Sequence, residues 1–255
     1  MLTCLTTPWG AWAARDLCRR RHFLAVPHAQ GARTMAAPML ALAPRPVYVV
    51  LAEDPPADAP AGVPADAARA APADPYGALY GQVVTSVTSG AVAFRERRVV
   101  LVFRSGTATL ATLRRRGRCS LNLLGASQAA LVPLFAGRSA AGGPAAAAAK
   151  RRALRDAGVP LARSARGTPV LALGAAAAAW ADCDVEGAWE LGDRVVVAVL
   201  VAACAVAPAA GGAAPRPLFE ADALAQLPPA VRAALDAAYH ADVAHDEAIF
   251  PHPPM

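Results

Sequence analysis

Two short stretches carry side chains suited to holding an anion. Thr85, Ser86, Thr88 and Ser89 place four hydroxyls within five residues, with Val87 between them. Arg104, Ser105, Thr107 and Thr109 then bring a cation and three hydroxyls together, and Gly106 among them lets the backbone turn closely about a bound group. Taking a phosphate ester out of water is costly unless N–H and O–H donors and a positive charge converge on it. Two hydroxyl-rich turns with an arginine meet that requirement. Taken one at a time, each Ser or Thr suits a strand residue facing solvent equally well. The case for a site therefore depends on the two clusters converging.

Strands and a helix must do the positioning. Residues 76–91 read as strand-like text around the first cluster, and residues 99–103 are an apolar, β-branched run suited to a buried strand between the two clusters. Residues 107–116 read as a helix with Leu110 and Leu113 on one face and Gly117 as its C-terminal stop. Residues 120–124 form the next strand, and its Asn122 is an amide that must find partners inside a sheet. A helix with Leu131, Leu134 and Phe135 at helical spacing follows, its aliphatic stripe reading as core. Upstream, residues 43–52 read as a first strand. Downstream, residues 172–185 and 195–206 read as the last long strands, joined near 186–194, with the alanines at 175–179 weak in strand propensity. After Leu218 the chain turns helical and acidic, with Leu224, Leu227, Val231 and Leu235 spaced for one buried face.

The order of these pieces resembles a known family. A strand with TSVTS, the run VVLVF, the turn RSGT, a helix TLATLRRRG, then CSLNLL and ASQAALVPLFAG resembles the FMN-binding split-barrel proteins of the flavin reductase-like group. Pro44-Arg45-Pro46-Val47, Thr168-Pro169-Val170-Leu171 and Gly192-Asp193 extend the resemblance to roughly residues 44–219. It implies a mainly β fold with flanking helices, a split β-barrel, usually paired as a homodimer with the flavin near the interface. It also implies FMN or FAD as cofactor, NADH or NADPH as hydride donor, and a partner monooxygenase as one outlet for reduced flavin. By the same resemblance Thr85, Ser86, Val87, Thr88 and Ser89 bind the isoalloxazine edge and ribityl chain, while Arg104, Ser105 and Thr107 hold the phosphate. Asn122 orients the pyrimidine edge or the neighbouring loop, and residues 158–168 resemble the loop over the substrate side of the flavin. The chain departs from the family at two places. Phe94-Arg95-Glu96-Arg97-Arg98 stands where an Asp-Pro-Pro turn is common. Arg194 stands where a histidine commonly follows Gly-Asp on the nicotinamide side, and an arginine pairs with a phosphate but supplies no titrating imidazole. A flavin reductase and a non-catalytic flavin-binding accessory protein both follow from that pattern.

Composition sets the limits. At 255 residues the chain accommodates one barrel with extra helices. Its 56% hydrophobic content is inflated by alanine, with only 5% aromatic residues, so its bulk forms less core than it suggests. The formal charge of +6 is nearly all arginine, with Lys150 the only lysine. These arginines fall in short scattered groups without interleaved aromatics, which argues against nucleic-acid binding. The apolar run at 195–206 is too short to span a membrane. Cys4, Cys18, Cys119, Cys183 and Cys204 form no CxxC pair and read as small buried hydrophobes, not as a zinc site or disulfide frame. His240 and His245, five apart, share a helix face poorly and make a weak metal pair. Residues 1–38 are acid-poor and Arg-bearing, as a plastid or mitochondrial transit segment would be, or else a disordered extension of a cytoplasmic protein. The expected organisation is that extension, a barrel domain over 39–220 with low-complexity insertions at 53–75 and 139–149, and a helical tail over 221–255.

Overall fold

The computed structural model describes residues 45–54, 74–89, 97–136, 143–208 and 215–249. Its strands in chain order are β1 Tyr48–Glu53, β2 Leu79–Val84, β3 Val87–Ser89, β4 Arg98–Arg104, β5 Arg118–Leu123, β6 Leu161–Arg163, β7 Pro169–Leu171, β8 Ala179–Leu191 and β9 Arg194–Val206. The helices are α1 Ala108–Arg116, α2 Val132–Phe135 with a preceding 3-10 turn Ala129–Leu131, α3 Gly143–Asp156, α4 Glu220–Gln226 and α5 Pro229–Ile249.

Seven strands form one antiparallel sheet in the order β2-β1-β5-β8-β9-β4-β3. Its two edge strands, β2 and β3, are consecutive in the chain and separated only by Thr85 and Ser86. The sheet therefore curls until its edges meet. The N–H of Val102 in β4 donates to the carbonyl of Ser86 at 3.2 Å, which carries the β3–β4 ladder into the break. This is the split barrel that the order of motifs implies, mainly β with flanking helices.

Two cores lie on opposite sides of the curled sheet. Inside, Val50, Leu101, Phe103, Leu121, Val197 and Val199 pack with Leu110 and Leu113 of α1, the helix that plugs one end. Outside β1 and β2, Val49, Leu51 and Leu79 pack with Phe135, Leu154, Leu171 and Leu218 under α2, α3 and β7. Strand β1 is thus buried on both faces, which explains why its sequence is a continuous apolar run. Gly81 permits the second core to close, because a Cβ there would lie 2.7 Å from the Phe135 ring and 2.8 Å from Leu51.

Several boundaries differ from the sequence expectations, each for a local reason. Proline at position 133 leaves α2 only four residues long. The Gly/Ala-rich stretch expected as an insertion before Lys150 is mostly helix, since α3 starts at Gly143 and alanine is the strongest helix former. Residues 172–178 are a tight turn, with Gly174 at φ 76°, and β8 starts only at Ala179. The joint expected near 186–194 is instead paired strand, and β8 passes to β9 through Gly192 and Asp193 alone. Gly192 has φ 62°, the sense that short hairpin turns need. The expected single face of the tail is split by Pro228. Leu227 is buried in the bend, Leu224 is exposed, and Val231 and Leu235 are half-buried. Cys119 and Cys183 are buried as expected, whereas Cys204 faces outward. The Phe94-to-Glu96 turn, residues 1–38, residues 55–73 of the first insertion and residues 139–142 of the second fall outside the described residues.

Candidate anion and flavin site

The second cluster forms the turn from β4 into α1. Gly106 has φ 73° and nothing within 4 Å of where a Cβ would stand, so backbone conformation and not space calls for glycine. Thr107 is the N-cap of α1, its Oγ1 accepting from the Leu110 N–H at 3.3 Å, and its hydroxyl proton remains to be donated. The first turn of α1 holds no acid and the last holds Arg114, Arg115 and Arg116, so no carboxylate in its own first turn offsets the positive end of the helix dipole. The Ser105 N–H is already committed, donating to the Asp193 carbonyl at 2.9 Å and tying this turn to the β8–β9 turn.

Pairing of β4 with β9 sets Arg104 directly opposite Arg194. Like charges facing each other across a sheet destabilise it unless anions intervene. Both arginines have carboxylates beside them. Arg194 Nε lies 3.3 Å from Asp193 Oδ2, and Arg104 Nη1 lies 2.8 Å from Asp242 Oδ2 on α5. Arg104 Nη2 also donates to the main-chain carbonyl of Asp242.

The first cluster lies on the adjoining strand. Thr88 is opposite Val100 of β4 and Val87 opposite Leu101, while the Ser86 carbonyl is bound by Val102. Ser86 and Thr88 are exposed, whereas Thr85 and Val87 are half-buried, with Val87 packed on the inner core. Ser89 pairs with Val99 at the strand's end. Thr88 and Ser105 thus lie along one pair of strands and not on opposite sides of the barrel. From the Thr88–Val100 pair to Ser105 is five residues along β4, about 16 Å at strand rise. Beside this track the outward residues Val100, Val102, Val196, Ala198 and Leu200 make an apolar surface, with Trp189 opposite Val196 and 57% exposed.

Asn122 departs from the expectation of flavin contact. It is 0% exposed, and its amide donates to the Val49 carbonyl at 3.0 Å and to Ser120 Oγ at 2.9 Å while accepting from the Leu171 N–H at 2.8 Å. What remains is the other role, setting the neighbouring loop. Ser120 reinforces it by donating to the Pro169 carbonyl at 2.6 Å. The same loop is held by Asp182, which sequence reading missed. It is wholly buried and accepts from Ser164 Oγ at 2.5 Å and Thr168 Oγ1 at 3.0 Å. Arg166 hydrogen-bonds Asp184, which holds that carboxyl below its usual range. The alternation Asp182, Asp184 and Glu186 along one strand was the available signal. Cys119 and Cys183 are cross-strand partners, and the Cys119 thiol is raised well above its usual value by its hydrogen bond with Cys183 and by burial.

Two further residues were passed over. Lys150 on α3 donates to the Phe135 carbonyl at 2.7 Å, and burial lowers its amine to about 8. It lines a small recess with Leu79, Tyr80, Ala108 and Thr109, next to the start of α1. Asp242 was hidden because the tail read only as helical and acidic. His240 lies 3.6 Å from Asp236 on its own helix, and among the described residues no three His, Cys, Asp or Glu side chains converge as metal ligands. No helix among the described residues is long and apolar enough to cross a membrane.

The described residues form a curled split barrel with flanking helices, with Arg104 and Arg194 opposed at one strand end. The sequence matches the family described as Flavin reductase like domain over residues 40–227, and the chain belongs to that family. A search of curated proteins returns no match. Among solved structures, nitrilotriacetate monooxygenase component B homologue from Mycobacterium thermoresistibile is 18% identical, over 71% of this chain and 78% of that one, with a TM-score of 0.50. The styrene monooxygenase flavin reductase SMOB from Pseudomonas putida S12 is 24% identical, over 66% and 84% of the two chains, with a TM-score of 0.45. The NADH:FAD oxidoreductase SgcE6 from Streptomyces globisporus C-1027 is 17% identical, over 72% and 88%, with a TM-score of 0.48. At these identities the likeness concerns the fold.

Proposed function

We propose that this protein is a flavin reductase that takes hydride from NADH or NADPH onto FMN or FAD. The carrying observation is the register that opposes Arg104 to Arg194 at the start of α1. A phosphorylated aromatic cofactor fits these residues on three counts. Two cations and the first-turn N–H groups of α1 meet a phosphate; Thr107 keeps a proton to donate; and the Ser86–Thr88 edge runs beside apolar Val100 and Val102 for a ring. The flavin supplies the redox chemistry when bound. The protein's residues hold the phosphate, orient the ribityl chain through hydroxyls, and shield one face of the ring from water.

The outward apolar surface formed by Val196, Ala198, Leu200 and Trp189 is, in the same reading, where a second copy packs to form a homodimer. An oxygenase that consumes reduced flavin is the kind of partner such a product requires. A second reading, a non-catalytic flavin carrier, draws on Arg194: this side chain sits with the phosphate-binding cation and brings no imidazole to the nicotinamide side.

Titrating the full chain with FMN, FAD and riboflavin, followed by NADH and NADPH oxidation with added flavin, tests both. The expected result is micromolar FMN binding with turnover, and at least tenfold weaker FMN binding in Arg104→Ala, the loss expected for one charge-assisted phosphate contact. Bound flavin without turnover selects the carrier. FMN fluorescence that stays unchanged at micromolar protein removes both.

A further inference from the structure

We propose that Asp242 is an internal competitor for the anion position of the arginine site, and that it sets how tightly that site holds a phosphorylated flavin. The inference rests on the reading of Arg104 as the phosphate-binding cation.

The geometry is that of a ligand supplied by the chain itself. Asp242 presents its carboxylate and its main-chain carbonyl to the Arg104 guanidinium, across 138 residues of sequence. The Arg104 side chain is only 10% exposed and that of Asp242 26%, so the pair is partly shielded from water and from screening by salt. On α5 the half-buried positions Val231, Leu235, Ala238, Asp242 and His245 follow one another at helical spacing. Asp242 thus stands within the very stripe that faces inward, where an aliphatic residue would serve packing better.

The helix is otherwise lightly held. None of its residues with described burial is buried, and Tyr239 and Ile249 are 61% and 54% exposed. Lifting it uncovers little apolar area. Lifting it breaks the ion pair between Arg104 and Asp242, and a phosphate arriving at Arg104 offsets that loss by exchanging one anion for another. A flavin without a phosphate offers no such exchange. Because only the opened form admits phosphate, apparent affinity falls by the fraction of protein that is open. The device favours release of flavin over permanent retention.

The test compares FMN and riboflavin binding to the full-length wild type, Asp242→Asn and Asp242→Ser, with circular dichroism confirming that the helices persist. FMN is expected to bind about tenfold more tightly to both variants, with riboflavin unchanged. Equal FMN affinity in wild type and variants, with binding intact, overturns the competitor and leaves the flavin reading standing. Equal tightening for riboflavin also overturns it. Failure of all three proteins to bind FMN removes the flavin reading and the competitor together. A measurement without substitutions is amide exchange across residues 235–249. FMN should accelerate it and riboflavin should not; exchange indifferent to FMN overturns the proposal.

Discussion

Arg104 and Asn122 show how far a residue type predicts a role. Both are polar, both sit in the barrel's sheet, and both were expected at the cofactor. Arg104 ends its strand opposite a second arginine, with Asp242 of α5 on its guanidinium. Asn122 is in mid-strand, where each of its amide groups meets the backbone of a neighbouring strand or the hydroxyl of Ser120. Replacing it with leucine keeps the volume but leaves the Leu171 N–H in the core without its acceptor, whereas the Val49 carbonyl stands in the β1–β5 ladder. An orphaned buried group costs about 1–3 kcal/mol. Asn122→Leu should therefore lose about 2 kcal/mol in urea unfolding; a loss below about 0.5 kcal/mol would show that the network tolerates its removal.

At the scale of elements, α3 couples its sole lysine to the end of α2. Burial lowers the Lys150 amine to about 8 from its usual 10.5. The unfolded chain holds that proton more tightly than the folded one, so the unfolded state carries more protons between about pH 8 and 10.5. Stability attributable to this group must rise with pH across that window and is lost below it. The increment is on the order of 3 kcal/mol, at about 1.4 kcal/mol per unit. In Lys150→Met the rise should vanish, and denaturant midpoints for both proteins from pH 7 to 10.5 measure the difference. Parallel curves for wild type and variant would mean that the amine is solvated. The hairpin β6–β7 depends on a different device, the buried acceptor Asp182, which holds its loop through Ser164 and Thr168.

For the whole molecule, the question is what covers the outward face of β4 and β9. Along β9 the inward residues Val195, Val197 and Val199 are buried and the outward ones Val196, Ala198 and Leu200 are not, yet both sets are apolar. In the proposed homodimer, pairing of two copies would remove this aliphatic face from water, at about 25 cal/mol per Å². The full chain is expected to sediment as a dimer, and Leu200→Glu, placing a charge on that face, should shift it at least tenfold toward monomer. A wild type that stays monomeric at tens of micromolar contradicts this assignment.

The sequence alone determined most of the barrel strands in their order, the turn at Gly106, the helix stop at Gly117 and the barrel class, because these follow from local propensity and from motif order along the chain. It also contained the two hydroxyl clusters and the two arginines. That Arg104 faces Arg194 was decided only by tertiary structure, since strand register joins residues 90 positions apart through side chains that pack elsewhere. Burial likewise turned Asn122 inward and lowered Lys150, because desolvation depends on what surrounds a group in space. The placing of Asp242 on Arg104 was no more legible, since an acid on an acidic helix gives no sign of its distant partner until the chain has folded back.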